Sequence, residues 1–273
     1  DAYPHAGLQD AYLAYELIAE GGITRIIALF KDQTTEKIGS VRSARHYFLD
    51  YVMENDAIFV HYGHSPQALS DIKSLKINNI NGMYDAKGFF RDTSLHRAYE
   101  HTAFTSIKRI NKVIKSKGYR NTSEEQLLKY SPIKVEYNTE NKKEANKVEI
   151  VYSSYQTTKY VYDKDNMNYK MYMGGKEHTD LITKKQYTVK NIITYQVENT
   201  SISSDRKGRQ ELKNIGSGEG YYISNGEAIK IKWSKKDRAS KTIYTLEDGS
   251  ELKVNDGNTW IHIQPKGKKL NIS

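Results

Sequence analysis

The hydrophobic pattern of the chain changes near residue 130, and this change constrains the fold more than any other feature. Before it, short β-branched runs alternate with segments of helical period, which is typical of α/β layers. After it, tyrosine-rich and β-branched runs are separated by turn dipeptides such as Asn225-Gly226 and Asp248-Gly249, which favour tight hairpins. The sequence therefore predicts a mixed α+β protein: an N-terminal α/β layered domain followed by a C-terminal, mainly antiparallel β domain.

The same change predicts the domain limits. A chain of 273 residues suffices for one large domain or two ordinary ones. We assign residues 1–130 to the N-terminal domain, residues 131–146 to a polar linker and residues 147–273 to the C-terminal domain. The C-terminal domain is expected to be a sandwich or a half-open barrel.

Individual elements follow from periodicity and from helix-end signals. In the first half we expect helices at residues 8–20, 43–55, 65–75 and 105–117, and strands at residues 22–30 and 57–62. Ser65 and Pro66 are typical of a helix start, whereas Gly21-Gly22 and Gly118 are typical of helix ends. The glycine-rich segment 216–220 precedes a strand-like run rather than a helix, so we expect a bulge or turn there and not a dinucleotide loop.

Composition narrows the chemistry. The absence of cysteine excludes thiolate nucleophiles, disulfides and cysteine-ligated zinc, and the longest apolar run, residues 26–30, is too short to span a bilayer. Of the net charge of +9, residues 1–130 carry only +2, because they hold 17 Lys and Arg against 15 Asp and Glu. Basic surface attracts anionic polymers, anionic lipids and nucleic acids. The alternative is that these lysines only form a solvated surface and bind no partner.

Two segments of the first half are candidate sites. Arg42 and Arg45 lie at a predicted helix start, where they oppose the helix dipole unless an anion binds; an internal ion pair with Asp50 or Asp92 is the alternative. The segment 61–66 follows a predicted strand and opens a helix, where open α/β sheets place their ligands. A capped loop explains it equally, and a metal would need further ligands that the spacing does not supply.

A third candidate combines Arg91 and Asp92 with His96, Arg97 and His101. A histidine–serine–aspartate set could be assembled from this region, but no Gly-x-Ser-x-Gly elbow is present, which argues against a hydrolase triad. Tyrosines at strand spacing usually pack a sheet, which argues against binding of single-stranded nucleic acid by stacking.

Several motifs occur in the order and spacing of a known family. In the first half they are Glu20-Gly21-Gly22-Ile23-Thr24-Arg25, Ile38-Gly39-Ser40-Val41-Arg42-Ser43-Ala44-Arg45, His61-x-Gly63-x-Ser65-Pro66, Phe90-Arg91-Asp92 and His101-x-x-x-Thr105. In the second half they are Gly175-x-x-His178-x-Asp180, Asp205-x-x-Gly208-Arg209, Gly216-x-Gly218, and Trp233 followed by Leu252 and Trp260-Ile261. Over nearly the whole chain they resemble the YerB-like family of bacterial lipoproteins.

The resemblance implies a place in the cell rather than a reaction. Members are similar to secreted lipoproteins of Firmicutes, anchored to the membrane by a lipidated cysteine upstream of Asp1, and the family pattern has a further strand before this chain begins. No cofactor and no metal is implied. Carried over position by position, the residues expected at a binding site are Arg25, Arg42, Ser43, Arg45, His61, Ser65, Arg91, Asp92, His101, His178, Asp180 and Arg209.

We therefore expect a non-enzymatic extracytoplasmic protein that binds an anionic small molecule, an envelope polymer or a protein partner. The arginines at positions 25, 42, 45 and 91 would form the anion pocket. One alternative is an envelope enzyme acting on a phosphorylated or carboxylated substrate, with His61 or His101 as general base oriented by Asp92. Another is a scaffold whose β domain adds an edge strand to a partner.

Overall fold

The computed structural model describes residues 2–123, 126–203 and 205–273. Within them the α-helices are α1 (Leu49–Glu54), α2 (Pro66–Ser74) and α3 (Ile107–Lys117), and the short 3-10 helices are Leu8–Asp10, Glu20–Gly22, His46–Phe48, Ala86–Gly88, Thr93–Leu95 and Tyr99–His101. The strands of the first half are β1 (Leu13–Ile18), β2 (Thr24–Leu29), β3 (Ile38–Gly39), β4 (Phe59–His61), β5 (Asn79–Asn81), β6 (Phe90–Arg91), β7 (Ala103–Thr105) and β8 (Lys129–Ser131). Those of the second half are β9 (Lys143–Glu144), β10 (Lys147–Val151), β11 (Thr157–Asp163), β12 (Asn168–Met173), β13 (Lys176–Glu177), β14 (Thr188–Val189), β15 (Asn191–Val197), β16 (Asn199–Ser201), β17 (Gln210–Leu212), β18 (Gly216–Ser224), β19 (Glu227–Lys235), β20 (Ile243–Thr245), β21 (Lys253–Asn255), β22 (Thr259–Pro265) and β23 (Leu270–Ile272).

The chain forms two compact units, and neither is one continuous stretch. The first unit contains Asp1–Asp10, Phe30–Gln126 and Thr179–Lys185, and the second contains Ala11–Leu29, Leu127–His178 and Gln186–Ser273. These limits differ from the expected division at residues 130 and 147, because β1 and β2 pair into a sheet of the second unit. The segment expected to be a linker contains β9, which also pairs into that sheet.

The first unit is an α/β layer with a small antiparallel sheet beside it. Strands β4 and β5 are parallel and are connected by α2, and β3, β7 and β6 form a three-stranded antiparallel sheet. The predicted strand at 57–62 and helix at 105–117 are confirmed as β4 and α3, and Gly118 ends α3 in the left-handed conformation. A cluster of Ile80, Phe89, Val113 and Ile114 fills the space beneath α3.

The helix predicted at residues 8–20 is wrong. The segment contains a short 3-10 helix and then β1, which is buried along its whole length between β2 and β22. A central strand covered on both faces does not alternate apolar and polar residues, so its pattern cannot be distinguished from that of a buried helix. Gly21 and Gly22, expected to end a helix, instead turn the chain from β1 into β2 with positive φ angles.

Three other elements differ in detail from expectation. The strand predicted at residues 22–30 exists as β2, but it lies at a sheet edge and is mostly half-buried rather than buried. The helix predicted at 43–55 begins only at His46, as a 3-10 turn that leads into α1. The glycine-rich segment is the beginning of β18, not a turn. A Cβ at Gly220 would lie 2.5 Å from the Thr194 carbonyl oxygen, so close strand packing explains that glycine.

The second unit is built mainly of two sheets, and it also contains the two-stranded sheets β16-β17 and β21-β8. The larger has the order β2-β1-β22-β15-β18-β19-β20, with β9 also paired to β19, and the smaller has the order β13-β12-β11-β10-β23, with β14 paired to β12. The mainly antiparallel character is confirmed, although β22 runs parallel to both of its neighbours, β1 and β15. Asn225 and Gly226 form the predicted hairpin turn between β18 and β19.

The described helices are short. The longest α-helix among them is α3, with 11 residues. None of the helices in the described ranges combines the length and apolar character that crossing a bilayer requires.

Candidate ligand-binding site

The carboxyl ends of β4 and β5 are held together by one buried side chain. The Asn81 Oδ1 atom accepts the backbone N–H groups of Gly63 and Met83, each at 3.0 Å. Gly63 has a φ of +80° and its missing Cβ would lie 3.0 Å from Ser43 Oγ, so a larger residue would be strained there. The loop after β4 and the loop after β5 therefore form one edge, at the place where α/β layers bind ligands.

Arg91 is the central residue at this edge. Its guanidinium carbon lies 4.8 Å from the ring centre of Tyr62 and 3.6 Å from that of Tyr99. Its Nη1 atom donates to the Tyr99 carbonyl at 2.6 Å and to the Thr102 hydroxyl at 3.1 Å. Stacking and neutral acceptors thus fix the plane of the guanidinium, and none of the described carboxylates pairs with it.

Arg42 reaches the same short helix, Tyr99–His101. Its Nη1 atom donates to the Glu100 carbonyl at 2.6 Å and lies 3.2 Å from His101 Nδ1. Partial burial and then the charge of Arg42 lower the pKa of His101, so the ring acts as a neutral acceptor beside this arginine. Arg42 and Arg91 are therefore brought to adjacent carbonyl groups by residues that the sequence places far apart.

Large exposed side chains lie on the loops of this edge, and sequence reasoning did not single them out. Tyr84, Tyr99 and Met83 are 71%, 68% and 57% exposed, respectively. Met83 Sδ lies 3.5 Å from the position of a Cβ at Gly63, which places this side chain at the edge. The only available signal was that residues 82–84 directly follow the short strand β5, and that signal requires knowing that β5 is parallel to β4. We name Arg42, Tyr62, Met83, Tyr84, Arg91, Tyr99 and His101 the arginine–tyrosine edge.

Other predicted residues at this edge have structural roles. His61 is buried, its Nδ1 contacts the Gly63 carbonyl at 2.7 Å, and its Nε2 contacts Asn79. Burial lowers the pKa of His61. The Ser65 hydroxyl accepts the N–H of Ala68 and caps α2, and the Ser43 hydroxyl donates to the Tyr62 carbonyl. These contacts shape the loop, but they leave no side chain directed at a ligand.

Arg45 and Asp92 also stabilise the first unit itself. Arg45 is buried and donates to the Ala44 carbonyl at 2.7 Å. Asp92 pairs with Lys37 and accepts from the backbone and hydroxyl of Ser94, and the hydrogen bond from Lys37 is the main reason that its pKa is lowered. Neither residue extends the arginine–tyrosine edge.

The remaining predicted residues lie elsewhere. Arg25 is in β2 of the second unit, 3.3 Å from Glu20, so the first unit does not contain the expected pocket of four arginines. His178 contacts Met171 and the Tyr187 ring in the second unit, and Arg209 pairs with Asp205 at 3.2 Å. Asp180, in the first unit, accepts the N–H groups of Gly7, Ile182 and Thr183, which is a loop-closing role.

The described residues do not show the geometry that the enzyme alternative requires. His61 and His101 hydrogen-bond to a carbonyl, an amide and an arginine, and Asp92 pairs with Lys37 instead of orienting either ring. Among the described residues no cluster of three His, Asp or Glu side chains could hold a metal ion. What the arginine–tyrosine edge can do chemically is bind a carboxylate or phosphate through fixed guanidinium groups.

Comparison with known proteins agrees with the motifs. Residues 1–120 match the family model described as "Protein of unknown function (DUF3048) N-terminal domain", and residues 148–261 match its C-terminal domain. The Bacillus subtilis protein described as "Putative lipoprotein YerB" is 32% identical over 280 residues, covering 100% of this chain and 80% of the relative. The crystal structure of YerB from Bacillus subtilis superposes with a TM-score of 0.86 at 30% identity, covering 100% of this chain and 89% of the other. The chain therefore belongs to the YerB-like DUF3048 family.

Proposed function

We propose that this protein binds an anionic ligand at the arginine–tyrosine edge, with Arg91 and Arg42 holding its carboxylate or phosphate group. The observation that carries the proposal is the environment of Arg91. Its guanidinium is fixed between two tyrosine rings and hydrogen-bonded only to neutral oxygens among the described residues. A positive charge held rigid without a counter-ion binds an anion at little conformational cost.

The experiment is a thermal-shift screen with inorganic phosphate, acetate and sugar phosphates at low and high salt. A ligand at 100 times its dissociation constant stabilises the native state by about 2.7 kcal/mol, which raises the melting temperature by a few degrees. We expect a salt-sensitive shift with one of these anions. In the double variant Arg42→Ala/Arg91→Ala that shift is lost.

Arg120→Gln is the matched control. Arg120 is an exposed arginine of the same unit, paired with Asp56, so its loss changes the charge without touching the edge. A shift that survives in the double variant, or that disappears equally in Arg120→Gln, contradicts the proposal.

A protein partner is the second candidate, because exposed tyrosine and methionine beside arginine is the composition of binding hot spots. In that case the anion is an acidic group of the partner and the apolar contacts come from Tyr84, Tyr99 and Met83. Replacing Tyr84 by Ala then weakens binding at least as much as replacing Arg91. If the ligand is instead a small anion that does not contact Tyr84, replacing Tyr84 by Ala weakens binding less than replacing Arg91.

The setting that we propose is the cell envelope. The relative YerB is described as a lipoprotein, and we assign the same extracytoplasmic, lipid-anchored location to the full-length precursor of this chain. Membrane fractionation of cells that produce the precursor tests this assignment, since a protein found only in the soluble fraction contradicts it.

A further inference from the structure

Two lysine-rich clefts lie along α3, and none of their lining residues belongs to the arginine–tyrosine edge; we name them together the α3 cleft. One cleft, of about 780 Å³, is formed between α3 and residues 33–36, and a second, of about 480 Å³, lies between α3 and Lys87. Ser106, Lys108 and Lys112 line both clefts. The two clefts therefore flank the same helix and share its basic side chains.

The lysines of this surface repeat along one side of the helix. Lys108, Lys112 and Lys115 have the spacing i, i+4 and i+7, which places three ammonium groups over about 10 Å of helix axis. All three are exposed, and none forms an ion pair or a side-chain hydrogen bond with any of the described residues. By contrast, Lys117 on the same helix forms an ion pair with Asp85 at 2.9 Å.

The opposite side of α3 explains why the helix presents this face. Val113 and Ile114 are buried in the core of the first unit, so the helix cannot rotate to hide its lysines. Three like charges on one side of a helix repel one another. This arrangement costs stability unless an anion neutralises it.

We infer that the α3 cleft binds a linear polyanion whose phosphate groups repeat along its length. Lysine carries a compact point charge. It therefore binds phosphate without needing the planar arrangement of oxygens that a carboxylate has. The residues of the helix that line the cleft run from Ser106 to Lys115, about 13 Å along the helix axis, which suits a chain of phosphates laid along the helix. None of its lining residues is aromatic, so it offers no platform for stacking nucleic-acid bases.

Glu36 offers a variant that should strengthen binding at this cleft. It lines the larger cleft and is its single acidic lining residue. Its carboxylate repels an incoming phosphate chain, and therefore the variant Glu36→Gln binds more tightly than the parent. A gain of binding cannot arise from misfolding, which makes this variant the most decisive one.

The test is binding of long-chain inorganic polyphosphate to the whole chain, measured by fluorescence anisotropy at several salt concentrations. The triple variant K108Q/K112Q/K115Q should lose about tenfold or more in affinity, and the slope of log K against log salt should fall by about 2, since three phosphate contacts are lost. The matched control K266Q/K268Q/K269Q removes three exposed lysines of the second unit and should bind like the parent.

Each remaining outcome decides between explanations. If both triple variants lose the same affinity for polyphosphate, the attraction is to net charge and the cleft is not the site. Tighter binding to anionic phospholipid vesicles than to polyphosphate also contradicts the proposal. If orthophosphate competes as well as polyphosphate at the same concentration of phosphate groups, the proposal of a linear ligand is wrong. If the triple variant K108Q/K112Q/K115Q binds polyphosphate like the parent, this inference alone is overturned, because Arg42 and Arg91 of the arginine–tyrosine edge are unchanged in that variant.

Discussion

At the scale of single residues, the second unit contains a buried polar network that the sequence analysis did not anticipate. Glu16 in β1 and His262 in β22 are both fully buried, with Glu16 Oε2 3.4 Å from His262 Nδ1. Tyr160 contacts His262 Nε2 at 2.8 Å, and Tyr152 contacts Nδ1 at 2.9 Å and donates to the Glu16 carbonyl. Thr24 and Thr158 donate to the Glu16 carboxyl group. Every member therefore has a partner, as a buried polar group must.

Burial shifts the pKa values of Glu16 and His262 in opposite directions. It raises the pKa of Glu16 from 4.5 to about 7 and lowers the pKa of His262 from 6.5 to about 3. Between pH 4.5 and 6.5 the folded protein thus holds a protonated Glu16 and a neutral His262, whereas the unfolded chain holds the proton on the histidine instead. The contact between the two residues is then a neutral hydrogen-bonding contact and not an ion pair.

This network predicts a measurable pH effect for Glu16→Gln. Because the folded-state pKa of Glu16 is raised, its contribution to stability is complete below pH 4.5 and is lost as pH rises towards 7. Relative to the parent, the variant should therefore gain about 1.4 kcal/mol in unfolding free energy per pH unit across this window. Urea denaturation at several pH values measures the difference. The control Glu219→Gln, at an exposed position in β18, should show no such trend, and a flat difference for Glu16→Gln contradicts the assigned protonation states.

At the scale of elements, helix ends were easier to predict than strand neighbours. α2 begins where Ser65 and Pro66 indicated, because the capping hydroxyl and the missing N–H act within one turn. α3 ends at Gly118 for the equally local reason that glycine tolerates the left-handed conformation. By contrast, nothing local distinguishes β1 from a helix.

The cap of α2 provides the prediction at this scale. Ser65→Ala removes the acceptor that lies 3.1 Å from the Ala68 nitrogen in a buried environment, and we expect a loss of about 1 kcal/mol in unfolding free energy. Chemical denaturation measures it. Ser74→Ala, at the exposed end of the same helix, should change stability by less than about 0.5 kcal/mol. Equal losses of unfolding free energy at both positions contradict the role given to the cap. If the Ser65→Ala variant keeps anion binding, that agrees with a structural role for Ser65.

At the scale of the whole molecule, the second unit depends on a segment from the beginning of the chain. β1 is buried at all six positions and pairs with β22 over residues 259–263, and it also supplies Glu16 to the buried network. Without it, β22 becomes an exposed edge of seven buried residues. The second unit is therefore not the continuous C-terminal domain that the sequence pattern indicated.

A fragment experiment tests this dependence. Residues 127–273 alone should show no cooperative thermal unfolding, because the sheet lacks β1 and β2 and the buried network around His262 lacks Glu16. Joining residues 11–29 to the fragment through a flexible linker should restore cooperative unfolding. If the shorter fragment unfolds cooperatively by itself, the boundary at residue 130 is sufficient and the role assigned to β1 is wrong.

The candidate site shows the same division between what was predictable and what was not. Arg42, Arg91 and His101 were identified from motifs. Their meeting at the Tyr99–His101 turn follows from the parallel pairing of β4 with β5 and the antiparallel pairing of β6 with β7, not from spacing. Ser65 and Asp180 were identified by the same motifs, yet they serve as a cap and a loop closure. A motif records that a residue is constrained, and only its contacts show what constrains it.

By itself, the sequence determined the family, the mixed α+β class, the Asn225-Gly226 hairpin and the ends of α2 and α3. These features depend on interactions between residues close in the chain or on motifs spread along it. The tertiary structure alone decided that β1 is a strand, that it pairs with β22, whose residues lie 246 positions further along the chain, and that Arg91 lies between two tyrosines. The physical reason is that strand pairing and stacking take their free energy from partners distant in sequence, whose identity no local pattern contains.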